Sequence, residues 1–206
     1  LRNRTDTTSI NIVGAGKMAT TLKKIGVTTT PILDLSSDVG VKETFSSIQA
    51  LRIRGLSKGH HGVRLTNWAR FVLNNVRIDG CDVGIENLGS LVFSAYDMTV
   101  QSNNIGYRST EEGNVYCNLI QFFGGQYSAN STHAFDVGDA AGIHFNGVDM
   151  SGNGTTTDLA TGAVRLRNTV DDETGVSIVS FIGCWFESNL GMALDADDAN
   201  LILSLR

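Results

Sequence analysis

Two carboxylates in the C-terminal half of the chain, Asp149 and Glu187, have the residue type for acid–base work on a glycosidic bond. Such hydrolysis needs a carboxyl group on each side of the scissile bond, one protonated as the acid and one ionised as base or nucleophile. Trp185, two residues before Glu187, offers an apolar ring face on which a sugar can stack. His144 could add a hydrogen bond or a proton, while Gln126 and Arg165 could supply polar and cationic contacts to a sugar. Each residue also has a plain structural role open to it. Glu187 suits a turn-capping carboxylate and Asp149 a solvated acid, and Trp185 could pack under a loop or against a neighbouring subunit. A lyase would instead pair Lys or Arg with a uronate, often with Ca²⁺ on acidic side chains. Asp195, Asp197 and Asp198 cluster near the C-terminus, but their spacing specifies no cage. Hydrolysis therefore leads, with no metal and no cofactor expected.

Asp149 and Glu187 are far apart in sequence, so only a regular architecture can join them. A repeated phrase supplies one. Two apolar residues spaced by two, followed three residues later by Asn or Cys, recur five times: Val76/Ile78 with Cys81, Met98/Val100 with Asn103, Gly125/Tyr127 with Asn130, Val148/Met150 with Asn153, and Cys184/Phe186 with Asn189. Five residues before each lies another alternating pair: Phe71/Leu73, Phe93/Ala95, Ile120/Phe122, Ile143/Phe145 and Val179/Phe181. A strand pattern that recurs with its turn residue intact, at variable spacing, marks a solenoid. The steps from Ile78 to Val100, Tyr127, Met150 and Phe186 are 22, 27, 23 and 36 residues. The shortest fits a minimal coil of about three short strands, and the longer ones imply loops thrown out from a constant core. The expected fold is an all-β, single-stranded, right-handed parallel β-helix.

Alternation within a strand points one residue inward and the next outward. Outward positions of the middle strand then read Arg77, Thr99, Gln126, Asp149 and Trp185, with Asp79, Gln101, Ser128, Ser151 and Glu187 two further on. Asp149 and Glu187 fall on adjacent coils, offset by two residues. Roughly 4.8 Å across and about 6.7 Å along place their Cβ atoms about 8 Å apart, compatible with the ~6.5–9.5 Å carboxyl separation of inverting glycosidases. A third strand carries outward Arg64, Glu86, Arg108, Asp136 and Arg165, whose signs alternate from coil to coil as adjacent strands prefer. The recurring Asn residues are expected to stack into a ladder, because Asn tolerates left-handed backbone and its amide both donates and accepts.

The regular coils are expected over 48–206, with loops at 109–115, 152–162 and 168–175, after irregular early coils over 1–47. All belong to one domain. Ser9–Val13, Pro31–Leu35 and Gln49–Leu56 read as early strands, and Thr20–Ile25 as a short helix. Val13-Gly14-Ala15-Gly16-Lys17-Met18-Ala19 matches the G-x-G-x-x-A dinucleotide pattern after a strand, with Asp34 near the place of a ribose-binding acid. That mechanism needs a full helix after the turn and further βαβ units; here the would-be helix reaches Gly26, Val27 and three threonines within a few residues, and nothing downstream shows an extended 3.6 period. A turn is the better reading. Cys81, Cys117 and Cys184 form no C-x-x-C pair and read as isolated small hydrophobes, while His60, His61 and His133 read as solvent-facing turn residues.

The net charge of −5 argues against a nucleic-acid or anionic-membrane partner. No stretch approaches the roughly 18 apolar residues of a membrane-spanning helix. The chain opens with Leu1-Arg2-Asn3-Arg4, as a segment of a longer protein would.

Ile12-Val13-Gly14-Ala15-Gly16, followed by Thr20-Thr21-Leu22, resembles an opening phrase of the pectate-lyase-like β-helices of bacteriophage tailspikes and polysaccharide depolymerases. Phe181-Ile182-Gly183-Cys184-Trp185-Phe186-Glu187-Ser188-Asn189 is similar to a coil phrase of that family. The resemblance implies a homotrimeric spike of the virion tail, outside the cell, that binds and often cleaves a bacterial surface polysaccharide (capsule or lipopolysaccharide). A non-catalytic receptor-binding or structural fibre segment is the competing class.

Overall fold

The computed structural model describes residues 9–26, 29–36, 42–56, 59–110, 117–158, 160–167, 176, 178–197 and 202–205. The expected loop at 168–175, residues 111–115 of the loop at 109–115, and Asp198 lie outside them. Among the described residues there are twenty strands and no helix. They assemble into three parallel sheets of eight, five and seven strands. Through His133–Gly138, successive strands visit the sheets in a fixed cyclic order. Trp68–Asn74 lies in the first sheet, Arg77–Asp79 in the second and Val83–Leu88 in the third. The next pass repeats this with Val92–Tyr96, Thr99–Gln101 and Ile105–Thr110. The protein is all-β, with strands stacked in sequence order, an arrangement consistent with a parallel β-helix.

Apolar alternation set the register. Phe71, Phe93, Ile120, Ile143 and Val179 are successive partners across the first sheet, as are Leu73, Ala95, Phe122, Phe145 and Phe181. Their side chains turn inward and are buried. Phe122, Phe145 and Phe181 stack with nearly parallel rings, their centroids 5.2 and 4.8 Å apart. Tyr107, Tyr127 and Phe135 fill the interior beside them. In the second sheet Ile78, Val100 and Tyr127 align in the same way.

The asparagines form the expected ladder. Asn130 Oδ1 accepts from both the backbone N–H and Nδ2 of Asn103, each at 3.2 Å. Asn153 Oδ1 does the same for Asn130, and Asn189 Oδ1 for Asn153. Each Nδ2 also donates to a strand carbonyl, as in Asn103 to Ile78 and Asn189 to Met150. One expectation needs correction. The left-handed backbone belongs to the residue before each Asn, namely Ser102, Ala129, Gly152 and Ser188. The non-glycine members bear a conformational cost of about 1–2 kcal/mol, and the amide ladder satisfies the turn they create.

The N-terminal region also pairs in register. Asn11–Val13 aligns with Ser47–Gln49, Thr21–Lys23 with Arg52–Arg54, and Leu33–Ser36 with Val63–Thr66. Thr21–Lys23 is therefore a strand, where the sequence suggested a helix. Pairing with the next pass outweighs the modest helix propensity of so short a segment. The Gly14–Gly16 segment is a turn against the following pass, with Gly14 and Gly16 N–H donating to Gln49 and Ala50 carbonyls. A Cβ on Gly14 would meet Ala50 O at 2.4 Å, so this glycine serves close packing of passes. Asp34 pairs in register with Arg64.

Candidate active site

The second sheet narrows toward the C-terminus to isolated parallel bridges, Gln126 to Asp149 and Asp149 to Trp185. Backbone bonds from Met150 N–H to Trp185 O and from Gly152 N–H to Glu187 O, both 2.8 Å, carry the register two residues further. Trp185 consequently stands beside Asp149, and Glu187 beside Ser151. The inward residues between them, Val148 and Met150, are fully buried and anchor the strip.

Within the strip, Asp149 is half-buried and accepts on both oxygens, from Gln126 Nε2 at 3.1 Å and from the Ser151 hydroxyl. These bonds fix the direction in which the carboxylate points. Trp185 Nε1 donates to Glu187 Oε2 at 2.9 Å. That bond orients the indole against its own strand while the ring remains 62% exposed. Gln126 and Glu187 are exposed as well. Four of the six candidate residues and contacts singled out from the sequence, Asp149, Glu187, Trp185 and Gln126, are thus neighbours on one solvent-facing strip.

The other two lie elsewhere. His144 belongs to the first sheet, in register with Gln121 and Ser180, and its Nδ1 is 2.7 Å from the Ser180 hydroxyl. The left-handed corner at Gly147 separates it from Asp149. Arg165 belongs to the third sheet, where it holds Asp136 through Nε and Nη2 at 3.0 and 2.9 Å. From the loop at 152–162, Asp158, Ala160 and Thr161 line a depression of about 250 Å³ together with Arg108, His133 and Arg165. They border the third sheet.

The third-sheet charge column is in the predicted register: Arg64, Glu86, Arg108, Asp136 and Arg165, extended by Asp34 and Asp195 at its ends. Outward placement did not leave Glu86 and Asp136 exposed: both carboxylates are buried. Asp136 is wholly enclosed and bonds to Arg108, Arg165 and also Arg167. Burial acts to raise its pKa, but the hydrogen bonds and charges of Arg165 and Arg167 outweigh it and bring the carboxyl down to about 2. Burial likewise opposes ionisation of Glu86, and bonds from His61 and Arg64 hold it below the usual carboxylate range.

His60 and His133 are buried, contrary to the solvent-facing expectation. The register carried the signal for His133, whose partner Ile105 is itself aligned with Val83, both buried hydrophobics. Burial, aided by the nearby Arg165, pushes the His133 pKa down to about 4. Cys81 and Cys117 are buried thiols pushed up to about 12 by desolvation, unsuited to nucleophilic work near neutral pH. Among the described residues no three His, Cys, Asp or Glu side chains converge as a metal cage. No described helix is long and apolar enough to cross a membrane.

Compared with known proteins, the chain matches no family model, no curated protein and no solved structure.

Proposed function

We propose that this chain is a segment of a right-handed parallel β-helix of the bacteriophage tailspike type, acting in the virion tail outside the cell. It binds a bacterial surface polysaccharide, capsule or lipopolysaccharide, and hydrolyses it as a glycosidase, with the full-length protein a homotrimer. The observation that carries this reading is the placement of Asp149, Trp185 and Glu187 on adjacent passes of one exposed face. Trp185 gives a sugar ring an apolar platform between two carboxylates. Asp149, bonded by Gln126 and Ser151, takes the role of base toward water; Glu187, next to the indole, takes that of acid toward the leaving oxygen. With Cβ atoms about 8 Å apart, the two carboxyls leave room for a water molecule, which favours inversion over a covalent intermediate.

A second reading, a receptor-binding segment without catalysis, is favoured by the openness of the strip. Glu187 and Trp185 face solvent, whereas acid catalysis by a carboxyl usually draws on a desolvated site. Reducing-end release from a panel of capsular polysaccharides and lipopolysaccharides distinguishes the two. A glycosidase releases ends from one polymer and loses this in Asp149→Asn and in Glu187→Gln while still binding it. A binder retains the polymer and releases nothing. Undiminished release by both variants would refute the assignment of the pair.

A further inference from the structure

The opposite end of the second sheet carries an excess of cations that the Asp149–Glu187 strip does not use. Arg52 is in register with Arg77, and Arg54 with Asp79, on adjacent strands. Lys23 precedes Arg54 in the same column. Stacked like charges on neighbouring strands repel, and this cluster has one carboxylate to offset them. Asp79 is already engaged. Arg52 grips it with two bonds of 2.6 and 2.5 Å, whereas Arg77 and Arg54 reach it only at 3.4 and 3.8 Å. The Arg54 side chain remains 50% exposed. Arg52, Arg54, Arg77 and Asp79, with Gly80, Gln101 and Ser102, line a depression of about 500 Å³. A local cationic excess in a chain of net charge −5 has an electrostatic cost that a bound anion would relieve.

The same columns continue through the neutral Thr99, Gln101, Gln126 and Ser128 to Asp149 and Glu187. Three strand spacings, roughly 14 Å, separate Arg77 from Asp149. One extended chain along this face would reach both ends. We infer that the Arg52–Arg54–Arg77 depression is a subsite for an anionic group, a carboxylate, sulfate or phosphate, borne by a saccharide lying along the second sheet. Guanidinium groups suit such oxyanions because their N–H forks match two acceptor oxygens at once. The saccharide half of this inference rests on the carbohydrate-binding role proposed for the same face.

Inorganic sulfate and galacturonate test the anion half, read at the arginine Nε–H resonances by NMR. Saturable shifts at Arg54 and Arg77 are expected, with affinity weakened at least about tenfold in Arg54→Gln/Arg77→Gln. That variant leaves the Arg52–Asp79 pair in place. Silent resonances, or equal affinity in the variant, overturn the inference whatever any polymer does. Acidic and neutral surface polysaccharides then test the saccharide half. Preferential binding of acidic polymers, reduced in the variant while any neutral binding stays unchanged, supports it. If both polymer types bind alike, the saccharide half falls and the carbohydrate reading of the face survives. If small anions bind but no polysaccharide is retained, the carbohydrate reading falls and takes the saccharide half with it.

Discussion

On the third sheet, Asp136 is enclosed by arginines from the passes on either side and Glu86 is buried against Arg64 and His61; at the C-terminal end of the second sheet Asp149 and Glu187 lie open to solvent. Asp136 meets Arg108, Arg165 and Arg167, and water does not reach it. Asp149 meets Gln126 and Ser151, and Glu187 meets Trp185, all partners that leave the strip open. The same alternation placed both sets outward. What separates them is the reach of neighbouring side chains: long guanidinium arms fold over the third sheet, while short amides and hydroxyls border Asp149. Closed ion networks specify how passes stack, and open carboxylates remain available to a ligand.

Four perturbations sharpen or break this contrast. The largest effect is expected for Asp136→Ala, which leaves three arginines around an empty site and should destabilise by about 3–5 kcal/mol. Urea denaturation measures it, and a loss below about 1 kcal/mol would show that the network contributes little. Asn130→Ala comes next, at about 2–3 kcal/mol, because it strands the Asn103 N–H and removes the side-chain donor to the Val100 carbonyl and to the Asn153 amide oxygen, which keeps only the backbone N–H of residue 130. An unchanged denaturation midpoint would remove the ladder from the account of stability.

Acid should act on the third sheet in two stages. His133 has a folded pKa near 4, below its unfolded value, so its contribution is complete above about pH 6.5 and is lost as pH falls toward 4. The loss is on the order of 2 kcal/mol, and it should vanish in His133→Gln, checked by denaturation across this range. Asp136, held near 2, contributes fully above about pH 4, and that contribution is lost as pH falls through 2. A stability profile flat from pH 7 to about pH 4 would contradict the burial of His133 as a neutral side chain.

The smallest effect on stability is expected in the second sheet. Asp149→Asn and Trp185→Ala should each change it by no more than about 0.5 kcal/mol, since neither residue is enclosed. The proposed activity should respond in the opposite sense, with Asp149→Asn lowering reducing-end release by about 100-fold or more. If these variants unfold the protein as Asp136→Ala does, the contrast between the two faces disappears.

Much of this was legible in the residues. Phe71, Phe93, Ile120, Ile143 and Val179 could be aligned before any coordinates because interior positions tolerate only apolar side chains at a period of two. The adjacency of Asp149 and Trp185 followed from that alignment. Thr21–Lys23 was harder to read, because three residues carry too little periodicity to separate strand from helix. His133 reads as a turn residue by its local neighbours, although its register partner is the buried Ile105.

By itself the sequence determined the register, since a one-residue slip would turn every inward Phe, Ile and Val toward water. The tertiary structure alone decided which outward groups stay outside. Enclosure depends on side chains from three passes meeting at one point, as Arg108, Arg165 and Arg167 meet at Asp136, and no linear pattern encodes how far each one reaches. The same reach kept Arg165 on the third sheet and His144 around a corner, leaving Asp149, Trp185, Glu187 and Gln126 together on one face.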